Sequence, residues 1–111
     1  MDEPRPEQGQ LYTSAIWRVE PGQEDAFIQA WQAFADWTSQ TQAGAGAGIL
    51  LQEAQDPRSF LSFGPWADAE SITRWRSQPQ FQEFIAKARE LCEEIAPRTM
   101  ALVGYSNPEA Q

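Results

Sequence analysis

The run from Pro79 to Ile95 constrains the chain more than any other stretch. Phe81, Phe84, Ile85, Ala88, Leu91, Cys92 and Ile95 recur at helical spacing, while Glu83, Lys87, Glu90 and Glu94 fall on the opposite side. Pro79 suits the first turn of such a helix, where its missing N–H would have no partner anyway. Pro97 reads as the stop. The spacing makes Cys92 a small core residue rather than a nucleophile, and makes Glu83–Lys87 a solvated ion pair. A helix with so broad an apolar stripe needs a sheet or a second helix to lie on.

The sheet is legible at Leu11–Val19. Leu11, Thr13, Ala15, Trp17 and Val19 alternate with Tyr12, Ser14, Ile16 and Arg18, and both sets contain apolar residues. A strand of this kind is covered on both faces. Pro21-Gly22 ends it. A first helix follows over Gln23–Ser39, with Phe27, Ala30, Trp31, Phe34 and Ala35 on one stripe and Ile28 and Trp37 at its edges. Ala43–Gly48 alternates alanine and glycine. It lacks the Lys-Ser or Lys-Thr of a phosphate-binding loop and reads as a flexible entry into a strand where backbones approach closely. Gly48–Ala54 and Ser59–Trp66 flank Gln55-Asp56-Pro57-Arg58, which predicts a hairpin turned at Asp-Pro. Asp68 can cap a short helix at Ala69–Arg76, and Thr99–Tyr105 reads as the last strand.

The order is β-α-β-β-α-β. It predicts an α+β, ferredoxin-like fold: a four-stranded antiparallel sheet with helices on one face. With 111 residues the chain is one domain, read as residues 11–106 between a mobile tail at 1–10 and a short tail at 107–111. The outer sheet face carries Tyr12 and Ile16, and a second copy of the chain is its simplest cover, so a homodimer is expected.

Composition removes several functions. The chain has no His and one Cys, so histidine triads, Cys-His dyads, histidine-held metals and disulfide scaffolds are excluded. No cluster predicts a metal site. A net charge of −8 with eight Lys plus Arg gives no surface for nucleic acid. No stretch has the length or apolarity of a membrane span or a signal peptide, and a cytoplasmic protein is expected.

The span Trp17–Val103 resembles the antibiotic biosynthesis monooxygenase family, a branch of the dimeric α/β barrel superfamily. The matching pieces are Val19-Glu20-Pro21-Gly22 between strand and helix, the Asp56-Pro57 hairpin, and Phe63-Gly64-Pro65-Trp66-Ala67-Asp68-Ala69-Glu70. Trp75 then stands nine residues after Trp66, followed by Ser77-Gln78-Pro79-Gln80-Phe81. The resemblance implies a dimeric α/β barrel with a pocket between sheet and helices in each subunit. Some relatives oxidise aromatic polyketide hydroquinones or simpler quinols with O2 and no cofactor; others break down haem.

Carried over by position, the resemblance keeps some residues and loses others. Many relatives have a His where this chain has Trp75, and a second near Gln80. The Asn, Trp and axial His of the haem-degrading branch fall on Ala15, Trp75 and Ile85, so haem degradation by that design is not expected. The Asn that the polyketide-oxidising branch places four residues before its Trp is here Ser62, ahead of Trp66. The tyrosine six residues after that Trp is Ile72.

Such chemistry needs an enclosure for a flat substrate, a preference for its anion, and exclusion of water. Trp17, Phe60, Trp66, Trp75 and Phe81 are the available aromatic walls. Arg76 can favour an anion, with Arg18 and Arg98 as alternatives. Thr13 and Ser62 can hydrogen-bond a substrate oxygen. Glu53 is the one candidate base. The catalytic set is therefore Trp66, Ser62 and Arg76, and the substrate-binding set is Thr13, Trp17, Phe60, Trp75 and Phe81, with no cofactor. The function implied is a cofactor-independent monooxygenase of an aromatic, quinol-like or polyketide-like molecule. The alternative is a non-catalytic dimeric domain that binds a hydrophobic small molecule or is structural only. A cavity of roughly 300 Å³ beside Trp66 and Trp75 would mark an enzyme or a binder.

Overall fold

The structure is a computed structural model that describes residues 7–108. The elements in chain order are β1 (Leu11–Val19), α1 (Glu24–Thr41), β2 (Ile49–Glu53), β3 (Asp56–Trp66), α2 (Ala69–Arg76), α3 (Pro79–Leu91) and β4 (Cys92–Ala101). The strands form one antiparallel sheet in the order β2-β3-β1-β4. This is the ferredoxin-like α+β arrangement read from the sequence, with the second helical stretch divided into α2 and α3.

Alternation along β1 sends Ala15, Trp17 and Val19 inward, where they are buried with Phe60 of β3. Helices α1 and α3 lie on that face. They contribute Phe27 and Trp31, and Phe84, Ala88 and Leu91, to the same core. Phe27 is fully buried, with its ring 5.2 Å from Trp17 and 5.0 Å from Phe60. Glu24 and Asp25 in the first turn of α1 suit the positive end of that helix. Asp68 caps α2 by accepting from the Ser71 backbone N–H at 2.8 Å, and this bond holds its carboxyl below the usual range. Pro79 stands at the start of α3, as its missing donor favours.

Several boundaries differ from the sequence reading, the last strand also ending at Ala101 rather than Tyr105. Helix α3 ends at Leu91, and β4 runs over Cys92–Ala101 instead of starting at Thr99. Pro97 therefore does not stop a helix. It sits within β4 opposite Ala15. The hairpin turns at Ala54-Gln55, and Asp56-Pro57 opens β3. Register jumps there, from Gln52↔Phe60 to Glu53↔Asp56, so Pro57 falls where the β2 ladder asks for no donor. The ion pairs among the described residues are Arg18–Asp56, Arg58–Glu93 and Arg74–Glu70; the Glu83–Lys87 pair is not formed.

Residues 9 and 10, within the stretch read as a tail, bond to the end of the sheet. The Gly9 N–H donates to the Leu102 carbonyl at 2.8 Å, and the Leu102 N–H to the Gln10 carbonyl at 2.8 Å. The rest of the two predicted tails falls partly outside the described residues, at 1–6 and 109–111. No helix among the described residues is long and apolar enough to cross a membrane.

Cys92 is buried, 8 % exposed, at the junction of α3 and β4. Burial, aided by nearby Glu20, pushes its thiol from the ordinary 9.0 up to about 11. The folded chain thus holds a proton that the unfolded chain releases above pH 9, and stability must fall as pH rises from 9 to 11. Melting curves across that range should decline more steeply for the wild type than for Cys92→Ala, and an aromatic disulfide reagent should label Cys92 only after unfolding.

Candidate functional site

Between the inner sheet face and the helices lies a cavity of about 110 Å³, open on one side. It is smaller than the roughly 300 Å³ set as the mark of a ligand pocket. Its scale is that of a single ring, since an engineered apolar cavity of about 150 Å³ takes up benzene.

Of the eight residues singled out from the sequence, seven meet there. Thr13 and Trp17 come from β1, Ser62 and Trp66 from β3, Trp75 and Arg76 from α2, and Phe81 from α3. Phe60 is the exception. It is 2 % exposed and packs into the core against Phe27, away from the cavity. The reason is register: Phe60 pairs with Trp17, one step deeper under α1 than Ser62. The alternative residues also lie elsewhere. Arg18 is ion-paired with Asp56 beyond the cavity wall, Arg98 is exposed and contacts the Pro97 carbonyl, and Glu53 is exposed at the end of β2. Among the described residues no carboxylate, cysteine or lysine lines the cavity.

The walls are aromatic. Trp66 and Trp75 have ring centroids 4.8 Å apart, and Phe81 meets Trp75 edge-on at 4.7 Å. Phe34 of α1 stacks on Phe84 of α3 at 4.1 Å and closes the far side. Glycine makes the sheet end of the space. Gly64 faces inward between Ser62 and Trp66, and a Cβ there would stand 3.2 Å from the Ala47 carbonyl oxygen and from Gly48 Cα. The Ala-Gly segment thus lies directly against β3. The Gly46 N–H donates to the Pro65 carbonyl at 2.8 Å, and the Ala67 N–H to the Gly44 carbonyl at 2.8 Å.

Three indoles are hydrogen-bonded to three hydroxyls along the wall. Trp17 Nε1 donates to Ser62 Oγ at 2.9 Å, Trp66 Nε1 to Thr13 Oγ1 at 3.0 Å, and Trp75 Nε1 to Thr38 Oγ1 at 3.0 Å. Trp66 is 3 % exposed, so its N–H has a partner inside the protein. Arg76 donates through Nη2 to Thr99 Oγ1 at 3.1 Å. Among the described residues no carboxylate lies within ion-pair distance of it, and Arg76 is the one charged residue on the cavity wall.

Sequence reading missed Thr38, Trp31, Phe34 and Phe84 as wall residues; the three aromatics were assigned to the core. Thr38 carried a signal. It extends the stripe of Trp31, Phe34 and Ala35 by one step, as a polar residue on an apolar face.

Ser62→Ala should leave the Trp17 N–H buried and unpaired, at a cost of about 1–3 kcal/mol. Urea denaturation of Ser62→Ala, Trp17→Phe and the double variant should show non-additivity on the order of 1 kcal/mol, because the second change removes a group that the first has orphaned.

Comparisons with known proteins bear on the family and the fold. The family model for antibiotic biosynthesis monooxygenase matches residues 11–87. Among proteins of curated function, none matches the chain significantly. Solved structures do. SnoaB, a cofactor-independent oxygenase from Streptomyces nogalater, is 20% identical, with TM-score 0.79 over 91% of this chain and 99% of its own. A candidate antibiotic biosynthesis monooxygenase from Chloroflexus aurantiacus J-10-fl is 25% identical, with TM-score 0.70 over 87% of this chain and 97% of its own. A Pseudomonas aeruginosa protein is 20% identical, with TM-score 0.74 over 86% and 96%. With the family model spanning β1 through most of α3, the chain belongs to the antibiotic biosynthesis monooxygenase family.

Proposed function

We propose that the protein is a cofactor-independent monooxygenase of a small aromatic substrate bearing a phenol or enol oxygen. The observation that carries this reading is the aromatic cavity beside Trp66 and Trp75, with Ser62, Thr13 and Arg76 as its polar edge. Ground-state O2 reacts slowly with closed-shell molecules, and a deprotonated quinol or anthrone avoids the difficulty by giving up an electron. For a quinol, a ring C–H becomes C–OH and the ring is oxidised to a hydroxyquinone: one oxygen atom of O2 enters the substrate and the other leaves as water, the substrate supplying all four electrons.

The chain's residues then have three tasks. Trp66, Trp75, Trp17 and Phe81 hold the flat ring and exclude water. Arg76, a permanent cation at an apolar wall, favours the anion. Ser62 and Thr13 hydrogen-bond its oxygen. With no side-chain base on the wall among the described residues, the substrate must be acidic enough to lose its proton to water at the cavity's open side. The cavity's single-ring scale favours a one-ring quinol, or a two-ring quinol whose second ring reaches the open side, over a three-ring anthrone.

Oxygen uptake by metal-free protein, corrected for autoxidation, tests this. A naphthoquinol should give saturable uptake, faster than a tricyclic anthrone, and Trp66→Ala should abolish it. Saturable quinol binding without uptake would instead favour the non-catalytic binding domain, a reading supported by the missing base.

We also propose a homodimer formed through the outer sheet face. Leu51, Leu61, Ile16 and Ala96 stand in one row across all four strands, and Ile16, Leu51 and Leu61 are exposed; Met100, also exposed, lies four residues further along β4, opposite Tyr12. A second copy covers such a face most simply. Light scattering should give twice the chain mass for the wild type and a smaller mass for Ile16→Asp; a wild-type monomer would overturn it.

A further inference from the structure

The three indole–hydroxyl bonds have a fixed direction. An indole N–H can only donate, so Ser62, Thr13 and Thr38 each accept. Each hydroxyl keeps its proton, and no acceptor among the described residues takes it. Ser62 and Thr38 are more than nine-tenths buried, at 8 % and 9 % exposed, and all three line the cavity. A buried hydroxyl with an unused proton favours a ligand that brings an acceptor.

Register puts two of the donors close together. Thr13 pairs with Gly64, two residues along the ladder from the Ala15–Ser62 pair, so Thr13 and Ser62 are diagonal neighbours on the inner face. Thr13 also faces Thr99 across the β1–β4 ladder, and Thr99 holds Arg76. Thr38 comes from the opposite wall, carried by α1 and fixed by Trp75 of α2. Charged groups facing the cavity reduce to Arg76, since β1, β3, β4, α1 and α3 supply none to its wall.

We infer that Trp17, Trp66 and Trp75 are positioning residues which hold Ser62, Thr13 and Thr38 as hydrogen-bond donors, so that the cavity selects ligands presenting an acceptor oxygen and binds a phenolate in preference to its phenol. The inference rests on the cavity being the ligand site, as proposed above. It adds a selection rule and assigns it to side-chain pairs. An indole supplies the aromatic wall and, through its N–H, sets the orientation of the hydroxyl beside it. A phenylalanine in its place would keep the wall and lose the orientation.

The test uses two single-probe titrations on the whole chain. 4-Nitrophenol reports its ionisation through the visible band of its phenolate, and naphthalene reports the apolar volume alone. About one pH unit below the probe's solution pKa, binding to the wild type should raise the phenolate-to-phenol ratio about tenfold, equivalent to one pKa unit. Thr38→Val and Trp75→Phe should each cut that ratio by about threefold, beyond any change in naphthalene affinity, which reports the wall alone, and Thr38→Ser should restore it. Because Thr38→Ser keeps the indole's partner, it also serves if Thr38→Val fails to fold. Equal binding of phenol and phenolate by the wild type, with naphthalene bound, would overturn the selection rule and leave the cavity reading standing. An unchanged ratio in Trp75→Phe would overturn the positioning role. Failure to bind either probe would overturn both this inference and the proposal it rests on.

Discussion

Trp17 joins the parts of this fold. It stands on β1, one of the two inner strands, with one face toward the core and its edge toward the cavity. Phe27 from α1 packs at 5.2 Å and Phe84 from α3 meets it edge-on at 5.7 Å, so both long helices are seated on this one ring. Its N–H crosses to Ser62 on β3. The residue is 4 % exposed, and burying an indole of that size without a partner for its N–H would be costly. Ser62 supplies the partner, and the same hydroxyl then becomes part of the cavity wall. Core packing and site geometry are therefore one arrangement here.

Close backbone approach makes the rest of the site possible. The Ala-Gly segment after α1 lies against the end of β3, and at Gly64 a side chain would make tight contact with its backbone. Gly44 adopts φ +94, and a Cβ there would stand 2.6 Å from Ser71 Oγ. The segment thus fits both β3 and the first turn of α2. That first turn is capped by Asp68, and its last turn carries Trp75 and Arg76 to the cavity. A short helix of eight residues has little stability of its own. Its placement comes from the cap, from buried Ile72, and from the bond between Trp75 and Thr38.

Most of this was legible in the sequence, and the failures have physical causes. The α3–β4 boundary was misread because Cys92 and Ile95 face inward three residues apart, as on a helix. They do so on a strand because register shifts between Arg18 and Val19, pairing Val19 with Cys92 and Arg18 with Glu94. Glu93 is the extra residue, and its side chain reaches Arg58. One bulge imitates helical spacing, and nothing local distinguishes the two. Phe60 was misplaced for a different reason. Alternation told which face it takes but not how far along the sheet the cavity extends, and depth depends on helix placement. The three indole–hydroxyl bonds could not be read at all, since their partners are 37 to 53 residues apart in sequence.

Two electrostatic features pull in opposite directions, and together they constrain how an anion could come to occupy the cavity. The chain carries a net charge of −8, so its field disfavours the approach of anions from solution. Yet among the described residues the cavity wall holds one cation, Arg76, without a carboxylate partner, and three hydroxyls with protons to give. On the proposed reading the two are reconciled if the substrate arrives as a neutral phenol and loses its proton inside. An apolar wall suits the neutral entrant. Arg76 and the oriented hydroxyls suit the product of deprotonation, in a place where water competes less for hydrogen bonds. The anion that reacts with O2 would then form only where the ring is already enclosed. Local donors would set its lifetime, against an overall field that keeps free anions out.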